Sequence, residues 1–190
     1  MSANYIEEET FQNRDFTDTP LPGREFAHCS FVSCRLSGAD LSGTRFQDTE
    51  FTDCDLSNAR LGNTSWQDVN FTNCKLLGIA FEDCDTLGFA VRFTDCRMGH
   101  VSFYGMNLKR CALVGCSLEQ ADFTEADLSG IPVTGCDLSG ATFERSKLGK
   151  ADFRESLHYT IDPTKNRVRG AVFSLPEAMG LLRGFGVVVE

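Results

Sequence analysis

Nine cysteines are the residues of this 190-residue sequence with the widest range of chemistry. Thiolates bind zinc, form disulfides and act as nucleophiles, so their number raises each of these roles. The three histidines, at positions 28, 100 and 158, do not cluster with them along the chain. All nine cysteines share one position of a five-residue repeat: Cys29, Cys34, Cys54, Cys74, Cys84, Cys96, Cys111, Cys116 and Cys136. This regularity favours small buried side chains over a metal site or a set of disulfides.

Neighbouring carboxylates are the second candidate for chemistry, because two of them can act as general acid and base. Glu82, Asp83 and Asp85 form such a group. The sequence contains no glycine-rich phosphate loop, HExxH motif or GxSxG motif to accompany them. We therefore predict a protein that is not an enzyme, with no catalytic residues, no cofactor and no metal ion.

The composition is that of an acidic, folded domain. Eighteen Lys and Arg stand against 27 Asp and Glu, a net charge of −9 that disfavours direct binding to nucleic acid. Apolar residues make up 42% of the chain, enough for one core. Every apolar run falls far short of the roughly 20 residues that cross a bilayer, so no membrane partner is expected. The N-terminus is acidic where a secretory signal would be basic and then apolar, which predicts a cytoplasmic location.

A period of five residues organises the elements that must position these side chains. From Phe11 to Phe81 every fifth residue is Phe, Leu or Trp, and from Phe93 to Phe153 the same spacing resumes with apolar residues only. We call these apolar residues the centres of the repeats. A period of five fits neither the helix period of about 3.6 nor the alternation of a strand. The chain must therefore turn once per repeat, and Gly or Asn two residues after many centres suits a left-handed turn conformation.

Several repeat units resemble the pentapeptide-repeat family, whose consensus is A(D/N)LXX. The best preserved are Ala39-Asp40-Leu41-Ser42-Gly43 and Ala126-Asp127-Leu128-Ser129-Gly130, and the resemblance covers about residues 9 to 156. It implies an all-β solenoid, a right-handed quadrilateral β-helix of about seven coils with twenty residues per coil. Residues 1–173 would form this β-helix, with a two-residue phase shift within 85–91 and an irregular last coil at 157–173.

Stacking residues twenty positions apart defines four faces of the predicted rod. Face 1 begins with Phe11 and Phe31, face 2 with Phe16 and Leu36, face 3 with Leu21 and Leu41, and face 4 with Phe26 and Phe46. Six cysteines, one per coil, fall in a single column beside face 2: Cys34, Cys54, Cys74, Cys96, Cys116 and Cys136.

Charge is distributed unevenly over these faces. Face 3 carries a net charge of −4 and face 1 of −3, whereas face 4 carries +1. The candidate partner-binding residues are the acids of face 3: Asp40, Glu82, Asp83, Asp122, Glu125 and Glu144. An acidic rod presents carboxylates much as a duplex presents phosphates. The alternative is a solvated surface that only keeps the protein soluble.

Residues 174–190 are predicted to form a short C-terminal helix and tail. Ser174 suits an N-cap and Pro176 suits the first turn. An apolar stripe follows at helical spacing: Leu175, Met179, Leu182 and Phe185. This stripe would either cover the last coil, as solenoids require, or form a homodimer with a second copy.

Within the family, the sequence looks most like the members that interact with DNA gyrase, the Qnr-type quinolone-resistance proteins and the immunity proteins against topoisomerase poisons. That likeness implies a non-enzymatic protein-binding rod, a DNA mimic that contacts gyrase or another type II topoisomerase and protects it from a poison. The alternative is a pentapeptide-repeat scaffold with an unrelated partner. Qnr proteins carry long projecting loops, whereas this sequence has only the short interruption at 85–91.

Overall fold

A computed structural model describes residues 4–185 as a stack of short parallel strands. The strands are β1 (Tyr5–Glu7), β2 (Thr10–Gln12), β3 (Glu25–Ala27), β4 (Ser30–Val32), β5 (Arg45–Gln47), β6 (Glu50–Thr52), β7 (Ser65–Gln67), β8 (Val69–Thr72), β9 (Val91–Thr94), β10 (Ala112–Val114), β11 (Val133–Thr134), β12 (Asp152–Phe153) and β13 (Val172–Phe173). Two 3-10 helices are present, Phe81–Asp83 and Glu177–Phe185. No helix among the described residues is long and apolar enough to span a bilayer.

The strands pair in register with the coil above and below. Face 4 holds a four-stranded sheet in the order β1-β3-β5-β7, and face 1 holds a seven-stranded sheet from β2 to β11, with the β12–β13 pair beyond it. Phe31 pairs with Phe51, twenty residues later. Faces 2 and 3 are joined by single bridges, such as Asp40 to Arg60. The predicted β-solenoid with twenty residues per coil is confirmed.

The stack has about eight turns, one more than the repeat count predicted. The last turn is formed by residues 157–173, the predicted irregular coil, where the five-residue pattern weakens. Leu157 still bridges to Asp137 and Arg167 to Lys147, both at the regular spacing of one coil. Backbone pairing therefore continues past the last clear repeat.

The interruption near residue 85 adds two residues to one coil. Ser65 bridges to Asp85, twenty residues on, whereas Val69 pairs with Val91, twenty-two residues on. The two extra residues must therefore lie between 86 and 90. Phe89 turns inward and is 4% exposed, while Leu87 projects outward and is 78% exposed.

Stacked aromatic rings fill the interior of the rod. Along face 1 the ring of Phe31 lies 4.7 Å from those of both Phe11 and Phe51. Along face 3 the ring of Phe123 lies 5.4 Å from Phe103 and 5.1 Å from Phe143. These centroid distances are close to the spacing of neighbouring strands, about 4.8 Å, so each ring stacks on the equivalent ring of the next coil.

Candidate functional site

Face 3 brings the six predicted acidic residues to one side of the rod. Asp40 bridges to Arg60, and Ser102 bridges both Ala80 and Asp122, so the coils stack in register along this face. Glu82 and Asp83 belong to the 3-10 helix Phe81–Asp83, whose Phe81 is buried. The anchored ring leaves both carboxylates exposed to solvent.

Three of the six carboxylates form ion pairs with the next coil. Asp40 Oδ2 lies 3.2 Å from Arg60 Nη2, and Glu125 Oε1 lies 2.7 Å from Arg145 Nη2. Glu144 Oε1 lies 2.9 Å from the ammonium of Lys165. Pairs as exposed as these contribute little stability, but they neutralise part of the charge of face 3.

The pKa values agree with this pairing. Hydrogen bonds from Ser42, followed by the guanidinium of Arg60, lower the pKa of Asp40 to about 2. The hydrogen bond to Glu125 raises the pKa of Arg145. These groups are therefore charged at neutral pH, and their pairing persists over the physiological range.

The remaining acids lie on the coils before and after that of an exposed tyrosine at the middle of the face. Glu82 Oε1 accepts a 2.7 Å hydrogen bond from the Ser102 hydroxyl. Asp122 Oδ1 accepts a 2.8 Å hydrogen bond from the backbone N–H of Thr124. Tyr104, 47% exposed, lies on the coil between them. We call Glu82, Asp83, Tyr104 and Asp122 the central cluster. Tyr104 was not among the sequence candidates, although an aromatic residue at an outward repeat position was a usable signal.

The arrangement suits contact with a macromolecule better than enclosure of a small substrate. Asp85, considered with Glu82 and Asp83 as an acid and base group, lies on face 4 beside Ser65, so the three carboxylates do not converge. A cleft of about 350 Å³ between faces 2 and 3 is lined by Arg24, Asp40 and other residues of the first coils. Among residues 4–185, no group of three or more His, Cys, Asp or Glu is placed to hold a metal ion.

The cysteines lie inside the rod, and seven of the nine donate hydrogen bonds from Sγ to backbone carbonyl oxygens, whereas Cys84 accepts one from the Trp66 indole. All nine are free and buried. In the column beside face 2, Cys54 Sγ lies 3.3 Å from the carbonyl oxygen of Phe31, one coil below. The hydroxyls of Thr64 and Ser156 contact carbonyls in the same way, at 2.9 and 2.6 Å. The small position therefore carries a donor that the sequence interpretation, a compact apolar side chain, did not include.

Burial also suppresses ionisation of two thiols outside the column beside face 2. It raises the pKa of Cys84 to about 12 and that of Cys111 to about 11. Because the thiolate is the nucleophile and the metal ligand, these side chains are unreactive at neutral pH.

At the C-terminal end the chain forms a 3-10 helix, Glu177–Phe185. Its residue that faces the core is therefore not one of the predicted apolar stripe. Leu181, not in the predicted stripe, packs against the core. Of the predicted residues, Leu175 is 78%, Met179 38% and Phe185 58% exposed, and Leu182 is half-buried. Residues three apart align in a 3-10 helix, so positions 179, 182 and 185 share a face away from Leu181. The predicted tail at 186–190 lies outside the described residues.

Comparisons with known proteins agree with this fold. A family profile described as the pentapeptide repeat region matches residues 24–90 and 64–153. Two trypsin-treated forms of QnrB1, described as a plasmid-mediated fluoroquinolone resistance protein, are similar in structure. One has a TM-score of 0.66 at 23% identity and covers 99% of this chain and 98% of its own. The other has a TM-score of 0.64 at 22% identity and covers 99% of each chain.

No curated protein matches by sequence. At these identities the likeness to QnrB1 describes the fold. The profile, in contrast, spans well over half of the chain, from residue 24 to residue 153. Its repeats coincide with the stacked coils and with the buried centres. The chain therefore belongs to the pentapeptide repeat family.

Proposed function

We propose that this protein is a non-enzymatic protein-binding rod whose face 3 contacts DNA gyrase or another type II topoisomerase and protects it from a poison. The observation that carries the proposal is the central cluster, where three carboxylates that form no ion pair within residues 4–185 lie on the coils before and after that of an exposed tyrosine. Tyrosine is enriched among the residues that dominate binding energies at protein interfaces. Acidic side chains around it would steer the rod towards a basic, DNA-binding groove.

The likeness to QnrB1 supports this partner class, since that protein is described as a fluoroquinolone resistance protein and has the same fold along almost its whole length. The sequence resemblance described above points to the same group. The long loops of Qnr proteins have no counterpart here, so contact through the face itself is the proposed mode.

The charge of face 3 determines how far DNA mimicry can extend. A duplex carries one phosphate charge about every 1.7 Å of its axis. Face 3 has a net charge of −4, spread over about seven coil spacings, or roughly one net charge per 8 Å. The rod therefore has about a fifth of the linear charge of DNA. Recognition would depend on the central cluster more than on continuous resemblance to phosphates.

The low linear charge density of face 3 is also compatible with a second function, that of a scaffold that binds an unrelated partner. The ion pairs of Asp40, Glu125 and Glu144 favour it, because they reduce the acidic field that a topoisomerase would meet. On this alternative the acidic surface serves solubility. The Leu175, Met179 and Phe185 side chains at the C-terminal end would then be the main contact, either with that partner or with a second copy in an end-to-end homodimer.

Titration of the purified protein into a gyrase supercoiling assay, with and without a quinolone or a peptide poison, separates the two functions. The proposal predicts inhibition of supercoiling or relief of the poison, weakened by added salt. A variant with Glu82, Asp83 and Asp122 changed to Lys should lose the effect, and Tyr104→Ala should weaken it about tenfold or more.

A matched control keeps the overall charge change while moving it to face 1, with Glu50, Asp53 and Glu155 changed to Lys. This control should retain the effect. Equal loss in the control and the face 3 variant would show that only net charge matters. If the native protein leaves supercoiling unchanged at low salt with every poison tried, the gyrase proposal is wrong and the scaffold remains.

A further inference from the structure

Face 4 has opposite charges on its two halves. We call the segment that each coil contributes to face 4 a rung. From β1 to the last coil there are nine rungs, which begin at Tyr5, Glu25, Arg45, Ser65, Asp85, Asn107, Asp127, Lys147 and Arg167. The first four rungs carry five exposed or half-buried acids and one base: Glu7, Glu8, Glu25, Asp48 and Asp68 with Arg45. The last four carry six exposed bases and one acid: Lys109, Arg110, Lys147, Lys150, Arg167 and Arg169 with Asp127.

The fifth rung lies at the middle of this face and holds the two-residue insertion. Leu87, in the insertion, is 78% exposed and is among the most exposed large apolar side chains of residues 4–185. An apolar side chain thus projects at the boundary between the acidic and basic halves. Exposed apolar groups surrounded by polar ones are typical of contact surfaces.

We propose that two copies of the chain pair through face 4 as antiparallel rods, with a two-fold axis at Leu87. A two-fold axis through the fifth rung places the first rung of one copy opposite the ninth of the other, the second opposite the eighth, and so on. The fifth rung then faces itself, so the exposed Asp85 carboxylates of the two copies approach each other there and weaken the contact. Glu7 and Glu8 then face the partner's Arg167 and Arg169. Glu25 faces the partner's Lys147 and Lys150.

Two residues are exceptions to the charge pattern. Arg45 is the one base among the first four rungs and lies on the third. Asp127 is the one acid among the last four rungs and lies on the seventh. The same axis places the third rung opposite the seventh, but Asp127 is buried and paired with Lys109 and Lys147 of its own chain, so Arg45 gains no free carboxylate from the partner. A parallel arrangement of two copies would instead place like charges opposite each other at both ends of the face.

The rungs beside the axis add a charge network. Arg110 already pairs with Asp68 of its own chain, at 3.1 Å across the fifth rung. In the antiparallel pair each Asp68 also faces the partner's Arg110, so two intramolecular pairs become four alternating charges. Alternating charges of this kind fix the register of the pairing more than they add to affinity.

The available area predicts a weak and salt-sensitive dimer. Eight rung spacings of about 4.8 Å give a length of roughly 38 Å, and five residues across give about 16 Å. This corresponds to about 600 Å² per copy, near the lower end for stable interfaces. Face 3 and the C-terminal end remain exposed in this arrangement, so it does not depend on the function proposed above.

Charge exchange between copies tests the geometry. Sedimentation velocity should show dimers that dissociate as salt is added. The variant with Glu7→Lys and Glu8→Lys, and the variant with Arg167→Glu and Arg169→Glu, should each raise the dissociation constant at least about tenfold, because symmetry doubles every substitution. An equimolar mixture of the two variants should restore dimers, since all end contacts are then between opposite charges.

A cross-link tests the position of the axis independently. Leu87→Cys would add an exposed thiol to a chain whose nine cysteines are buried. Two such thiols near a two-fold axis should be joined efficiently by a short bis-maleimide at low salt. Tyr104→Cys, which places an exposed thiol on face 3, is the matched control and should give little cross-linked dimer.

Three results would overturn the proposal. One is a monomer at high protein concentration and low salt. Another is a dimer that is lost on Leu175→Glu with Phe185→Glu but is unaffected by the face 4 variants, which would place the contact at the C-terminal end. The third is a mixture of the two charge variants that stays monomeric. Reversal of Glu50 and Asp53 to Lys on face 1 controls for net charge and should leave the dimer intact.

Discussion

The hydroxyl of Thr64 donates a 2.9 Å hydrogen bond to the carbonyl oxygen of Leu41, twenty-three residues earlier and one coil below. The same carbonyl accepts a 3.0 Å bond from the N–H of Thr44, which closes the turn that follows Leu41. The small inward residue of one coil therefore ties down the corner of the coil beneath it.

Removal of this donor should cost stability. Thr64→Val keeps the shape but loses the hydroxyl, so the free energy of unfolding should fall by about 1 to 2 kcal/mol. Thr64→Ser and Thr64→Cys keep a donor and should cost less. Urea unfolding of the three variants measures the difference. An equal loss in the free energy of unfolding for Thr64→Val and Thr64→Cys would show that a thiol at this position only fills space and does not stabilise the fold as a hydrogen-bond donor.

The aromatic stack on face 3 should not tolerate charge or a large cavity. Phe123 is fully buried between the rings of Phe103 and Phe143. Phe123→Asp should prevent folding, because an unpaired buried charge costs several kcal/mol, comparable to the stability of a domain. Phe123→Ala should destabilise by about 3 to 5 kcal/mol. Circular dichroism should show mostly β signal for the native protein and its loss in Phe123→Asp. A native-like spectrum for Phe123→Asp would contradict the filled core.

Two corner glycines provide a matched comparison. Gly38 and Gly115 have φ of +67° and +65°, but a Cβ at Gly38 would meet open space and one at Gly115 would clash with Asp95 Oδ1. Gly38→Ala should therefore cost only the left-handed backbone penalty of about 1 kcal/mol. Gly115→Ala should cost more, because the Asp95 carboxylate must move. Thermal unfolding of both variants compares them, and equal melting temperatures would contradict the stated contact.

The nine thiols should be inaccessible in the native protein. All nine are buried, which denies a reagent access to the sulfur, and burial raises the pKa of Cys84 to about 12 and that of Cys111 to about 11, so these two form almost no thiolate at pH 8. Titration with a thiol reagent should detect no fast-reacting group without denaturant and all nine after denaturation. Rapid modification of the native protein would show that the coils open, or that the column is not packed as described.

Asp127 should make stability depend on acid pH. Burial would raise its pKa, but hydrogen bonds from Ser129 and the ammonium of Lys109 lower it to about 2. A depressed folded pKa stabilises the fold above the unfolded value of about 3.9 and loses that contribution as pH falls towards 2. Relative to Asp127→Asn, the native protein should gain about 2 kcal/mol at neutral pH and almost nothing near pH 2. Denaturant unfolding across this range tests the sign, and a gap that widens on acidification would contradict it.

The repeat determined most of the fold because burial in a solenoid depends on residue type at fixed spacing. Phe31, Phe51 and Phe71 had to stack once every coil contained twenty residues, and the phase shift after Phe81 located the insertion within a few residues. The cysteine column follows from the same arithmetic. The irregular coil at 157–173 was also predicted, and only the total came out one short, about seven turns against about eight.

The character of the surface was decided by the tertiary structure. The sequence identifies Asp40, Glu125 and Glu144 as acids of face 3, but only side-chain geometry pairs them with Arg60, Arg145 and Lys165. The choice of a 3-10 over an α-helix at the C-terminus turned Leu181 inward and left Phe185 exposed. These outcomes depend on contacts between neighbouring coils and on small conformational energies, whereas a buried ring contributes strongly enough for its position to be read from the period alone.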